Sequence, residues 1–155
     1  GKTASLYSTS ARIGAIVAGF DRPTIDALTE YGEAFGMVFQ IVDDLLDVTA
    51  TDDQLGKPAG HDMVEGVYTL PVLRTLQAGG IAAASLLDLL GKPLDHAERE
   101  KALEIVRARG GIDSALTTAQ EWADRAVASC VTLPDSAATR ALRDAPAALL
   151  ASLTL

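Results

Sequence analysis

A chain of 155 residues, 48% of them apolar, is long enough for one domain with a sizeable core and too hydrophobic to stay disordered. Its formal net charge of −8 argues against a general nucleic-acid binder, which needs a basic face. No run of about 18 uncharged apolar residues occurs, since IAAASLLDLL is broken by Asp88, so no transmembrane segment is expected. There is no signal-peptide pattern, and the single cysteine, Cys130, cannot form an internal disulfide. Both fit a reducing, cytoplasmic compartment. Alanine and leucine carry the core rather than the three Phe, three Tyr and one Trp, which predicts an all-α fold.

In chain order, Leu6, Ile13, Ile16 and Val17 recur at helical spacing, predicting a helix over 3–19. GKTASL leads into it without an entry loop or cap, so the sequence is expected to start inside a larger domain. Asp21-Arg22-Pro23 is a turn and helix entry, and the next helix should span 24–49. Residues 50–61 read as a loop. Asp62 is the expected N-cap of a helix running to Gln77, which Pro71 should kink or stop in its regular bonding, and Gly79-Gly80 ends it. A shorter helix to about Leu90 follows. Asp95 and Glu98 form a capping-box pattern for a helix ending near Gly110. Further helices should cover 113–133 and 136–153, the last disturbed at Pro146. Beyond about residue 80, His96, Trp122 and Cys130 are isolated and read as packing or surface residues.

Residues 35–48, FGMVFQIVDDLLDV, carry the chemistry. Asp43, Asp44 and Asp47 are three or four apart and fall on one side of a helix, with Gln40 a turn earlier. Gly36, one turn further back, would let another group approach closely. A solvated acidic face fits poorly, because apolar residues surround the stripe and ionised carboxylates are rarely buried without a partner. Like charges at this spacing also repel by roughly 0.2–0.5 kcal/mol per pair. The alternative is a stripe that binds cations. Carboxylates without His or Cys favour Mg²⁺ or Mn²⁺ over zinc, and Mg²⁺ pairs naturally with a phosphate or diphosphate ester. Matching positive charge comes from Lys2, beside Thr3, and from Lys57 in LGKPAGHD. A P-loop is rejected because no glycine-rich strand–helix context surrounds GKT. An EF-hand loop is rejected because its ligand spacing and terminal Glu are absent.

Three segments together resemble the trans-isoprenyl diphosphate synthases, or polyprenyl synthetases: KTASL at 2–6, FGMVFQIVDDLLD at 35–47 and GKPAGHDMVEGVYTLP at 56–71. The resemblance implies a bundle of long helices around a central cavity, with DDLLD as the second of two aspartate-rich motifs that hold Mg²⁺ on an allylic diphosphate. Asp43 would be a direct ligand, and Asp44 and Asp47 direct or water-mediated ones. Lys2 and Lys57 would contact the allylic diphosphate. Thr3 and Gln40 would place oxygens near the developing allylic cation, and Phe39 would lie beside isopentenyl diphosphate. The implied reaction is loss of diphosphate, attack by the isopentenyl double bond and proton loss to pyrophosphate, in a dry cavity that protects the cation.

Two departures stand out. Val67 in GVYTLP takes the place of a lysine common in the family. The first aspartate-rich motif is absent, since Asp52-Asp53 lacks the later acid, so the chain resembles the family's C-terminal half. A homodimer or a partner chain is expected. The alternatives are a truncated, non-catalytic partner subunit of a complete synthase and a class I terpene cyclase. Against the last stand the FQ-to-DD spacing and the downstream GKPAG loop.

Overall fold

The computed structural model describes residues 1–51, 58–108 and 110–153. Among these residues there is no strand, and the elements in order are α1 (Lys2–Val17), α2 (Arg22–Thr49), α3 (His61–Val64), α4 (Leu70–Gln77), α5 (Gly80–Leu87), α6 (His96–Arg107), α7 (Gly111–Ser129) and α8 (Ala137–Ala151). None of them is long and apolar enough to cross a membrane.

The chain divides into two compact units, residues 1–42 with 118–153 and residues 43–117, so the boundaries fall within α2 and α7. In the first unit, Tyr31, Ala34, Ala126, Cys130 and Leu133 form a buried cluster packed by Leu28, Phe35, Trp122 and Leu142. In the second, Val48, Met63, Val72, Leu86, Leu103 and Val106 lead an aliphatic core.

Local signals set most helix ends. Ser136 caps α8 by accepting the Thr139 N–H at 3.0 Å, and Asp95 and Glu98 complete the capping box of α6. Asp21 Oδ1 accepts the Thr24 N–H at 3.1 Å at the entry to α2. α1 ends in a Schellman motif, with left-handed Gly19 and the Phe20 N–H on the Ala15 carbonyl.

One expected helix is broken in two. Asp62 is not an N-cap: Gly60 precedes α3, and Asp62 lies inside it. The Val67 N–H bonds the Asp62 carbonyl at 2.8 Å and the Gly66 N–H bonds that of Met63 at 3.1 Å, around left-handed Gly66. This second Schellman motif stops α3 after one turn. Pro71 therefore starts a helix instead of kinking one: it occupies the first turn of α4, where a missing N–H costs nothing.

Pro146 does the opposite and sits inside α8 without ending it. Proline at 146 leaves the Leu142 carbonyl without its helical donor. The Tyr31 hydroxyl replaces that donor at 2.9 Å. Burial, with a smaller contribution from nearby Cys130, pushes the Tyr31 phenol up to about 12, so it stays a neutral donor.

Candidate functional site

In the first unit, the site is built on a close helix crossing. A Cβ on Gly36 would lie 2.7 Å from the Ala4 Cα, and one on Gly32 would lie 2.6 Å from the Tyr7 carbonyl oxygen. Only glycine at both positions lets the α1 backbone sit directly on α2. That approach brings Thr3 to Gln40, whose Oε1 accepts the threonine hydroxyl at 2.7 Å. Lys2 is exposed in the first turn of α1. The Tyr7 ring centroid lies 5.5 Å from both Phe35 and Phe39. Phe39 remains 42% exposed, so the apolar surround expected for 35–48 has an opening there.

The carboxylates belong to the second unit, in the last two turns of α2. Asp43 is exposed, whereas Asp44 and Asp47 keep only 8% and 4% of their surface. Leu45 and Val48 beside them are fully buried. A solvated face thus describes Asp43 alone. Asp47 is held by the chain just before and within α3: its carbonyl accepts the Gly60 N–H at 2.7 Å, and its Oδ2 accepts the Asp62 N–H at 3.3 Å. Gly60 has φ +72°, a conformation that favours glycine, and a Cβ there would press on the Leu103 side chain at 3.1 Å. Arg107, from α6, donates its Nε–H to the Val48 carbonyl at 2.6 Å.

The donor set is made of hard carboxylate oxygens with no thiolate or imidazole among them, which suits Mg²⁺ or Mn²⁺. Among the described residues no three acidic, histidine or cysteine groups gather closely enough to enclose an ion. The chemistry of the donors fits a divalent cation; further ligands would come from substrate oxygens, water or other protein groups. Lys57 lies outside the described residues. Val67 is 52% exposed on the turn after α3.

The polyprenyl synthetase family profile matches residues 1–106. The chain belongs to the polyprenyl synthetase family. It is 37% identical over 143 residues to heptaprenyl diphosphate synthase component 2 of Geobacillus stearothermophilus, covering 92% of this chain and 44% of that protein. Nonaprenyl diphosphate synthase of Mycobacterium tuberculosis is also 37% identical, over 91% of this chain and 42% of that one. Among solved structures, geranylgeranyl pyrophosphate synthase of Corynebacterium glutamicum, complexed with calcium and isoprenyl diphosphate, superimposes with a TM-score of 0.89. The identity there is 38%, over 97% of this chain and 47% of the other. The chain spans less than half the length of these relatives, and its helical fold is that of the isoprenoid synthases.

Thr3 and Gln40, 37 positions apart, are joined by that hydrogen bond. Sequence reasoning missed Tyr7, the backbone N–H groups of Gly60 and Asp62, and Arg107. Gly66 was a legible stop signal, being the glycine after MVE. Arg107 has no local signal, because its partner is 59 residues away. His96 is exposed, Trp122 stacks under the Arg125 guanidinium at 4.5 Å, and Cys130 is buried, so all three take packing or surface places.

Proposed function

We propose that the chain is the C-terminal part of a single isoprenoid synthase domain. That domain condenses an allylic diphosphate with isopentenyl diphosphate to give a trans-polyprenyl diphosphate one unit longer. The observation that carries this reading is the Thr3–Gln40 hydrogen bond at 2.7 Å. Because the Thr3 hydroxyl donates its proton to Gln40, the lone pairs of its own oxygen would face positive charge, and Gln40 would bring its amide oxygen beside them. Two adjacent oxygens beside the Tyr7 and Phe39 rings would stabilise an allylic cation without offering a nucleophile basic enough to trap it. Phe39, exposed on its outer side, would pack the isopentenyl chain.

Asp43, Asp44 and Asp47 would hold Mg²⁺ or Mn²⁺, which when bound would neutralise the departing diphosphate. Lys2 and Lys57 would add ammonium contacts to the same diphosphate, a role that the exposure of Lys2 at the start of α1 is consistent with. The same reading includes a cytoplasmic location and a homodimer or partner chain. Supporting a further protein surface, α1 leaves Leu6 at 58%, Ile13 at 56% and Val17 at 82% exposed, an apolar face on one helix.

The test is incorporation of labelled isopentenyl diphosphate by the complete synthase carrying this segment, with Mg²⁺ and allylic diphosphates of increasing length. Metal-dependent formation of a longer polyprenyl diphosphate is expected. A folded protein that binds allylic diphosphate and never elongates it would instead support a non-catalytic partner subunit. Product chromatography would fix the chain length.

A further inference from the structure

We infer that Arg107 is a positioning residue for the α2 carboxylates, acting through the end of the helix that carries them. The inference rests on the divalent-metal reading of Asp43, Asp44 and Asp47. The last four carbonyls of a helix have no helical donor and must find others. At the end of α2, the Leu46 carbonyl takes the Ala50 N–H at 3.0 Å and that of Asp47 takes the Gly60 N–H at 2.7 Å. The Arg107 guanidinium reaches the Val48 carbonyl at 2.6 Å, with a longer 3.5 Å approach to the Ala50 carbonyl.

Two consequences follow from charge and geometry. A guanidinium at a helix C-terminus opposes the negative end of the helix dipole, where three carboxylates already concentrate negative charge. Arg107 is anchored from below, because Leu103 and Val106 of α6 are buried in the aliphatic core that also contains Val48. It therefore fixes the last turn of α2 against α6. Asp47 is one residue before Val48, and its Oδ2 bond to the Asp62 N–H, at 3.3 Å, is long enough to be lost if that turn moves. Residues outside the ligand set that orient metal ligands typically change affinity by about 10–100-fold when removed.

The experiment measures Mn²⁺ binding by electron paramagnetic resonance, with inorganic pyrophosphate present, in the complete synthase and in its Arg107→Ala and Arg107→Lys forms. Hydrogen exchange of the amides at residues 46–50 is followed in parallel without metal. The expected result is a roughly tenfold weaker Mn²⁺ affinity and faster exchange in Arg107→Ala. Arg107→Lys, which keeps the charge and a donor, should recover part of both. Lower melting temperature with unchanged Mn²⁺ affinity would reduce Arg107 to a stability residue and overturn the inference. If Arg107→Ala does not fold, an Arg107→Lys form that folds and binds Mn²⁺ no more weakly than the unmodified protein overturns it as well. Should the unmodified protein bind no Mn²⁺, or Asp43→Ala bind it equally well, the metal reading itself fails and the inference with it.

Discussion

The two units solve the same problem, fixing polar side chains on α2, by different means. In the first, helix lies on helix: Gly32 and Gly36 remove side chains so that the α1 backbone can touch α2, and Thr3 meets Gln40 across that contact. In the second, the end of α2 is held by irregular backbone and one long side chain: Gly60 N–H on the Asp47 carbonyl, Asp62 N–H on the Asp47 carboxylate and Arg107 on the Val48 carbonyl. A crossing of helices specifies position through sterics, and errors there are paid over many atoms. A helix end specifies position through a few hydrogen bonds to groups that must otherwise be satisfied by water. Damage to the first should therefore unfold or misplace the helix pair, whereas damage to the second should change ligand binding before it changes stability.

The largest expected effect is chemical. Asp43→Ala should abolish Mg²⁺-dependent turnover of the complete synthase while leaving it folded, because Asp43 is exposed. Circular dichroism with steady-state elongation assays checks this, and near-normal turnover would remove the metal role. Next comes the crossing. Gly36→Val puts bulk where a Cβ alone would already be 2.7 Å from the Ala4 Cα. Overpacking of this kind costs about 1–3 kcal/mol. Urea unfolding should show that loss together with reduced turnover, and a variant of unchanged stability would mean that α1 does not need to lie so close.

Tyr31→Phe isolates a smaller term. It leaves the Leu142 carbonyl without the donor that stands in for the one Pro146 lacks, at a cost of about 1–3 kcal/mol. In a Pro146→Ala background a helical N–H becomes available, so the same change should cost less. Equal costs in both backgrounds, by a double-mutant cycle, would separate Tyr31 from the proline.

The smallest effect is electrostatic. The hydrogen bond from Lys92, at 2.6 Å, is the main cause holding the Glu98 carboxyl below its ordinary value, and it holds the Lys92 ammonium above its own. Glu98's contribution is present above about pH 4.5 and fades as pH falls through its lowered value, while that of Lys92 is present below 10.5 and fades as pH rises past its raised value. Lys92 is exposed and Glu98 partly so, so the effect should be slight. Thermal melts from pH 3 to 7 should show a weaker acid dependence for Glu98→Gln, which keeps the cap and removes the charge. Identical pH profiles would leave the pair no role.

Most of the architecture was legible because helix periodicity and caps are local. The capping box at Asp95 and Glu98 and the helical span of FGMVFQIVDDLLDV are each contained within a few turns. The break at 65–69 was missed because the apolar pattern runs on past Gly66, while the Schellman bonds that stop α3 depend on a left-handed glycine. Of the candidate site, the residue types and their order were readable, and so was the need for a close approach at Gly36.

By itself, the sequence determined an all-α chain, the acidic stripe with its upstream Lys2 and Thr3, and the family those motifs resemble. Tertiary structure decided which carboxylates are buried, Asp44 and Asp47 but not Asp43, and that Phe39 is exposed. It also decided that Tyr31 completes a helix interrupted by Pro146 and that Arg107 completes the end of α2. Those last bonds join residues 111 and 59 positions apart. The physical reason is that a helix records its own turns locally, whereas a carbonyl left without a donor is satisfied by whatever the fold brings to it.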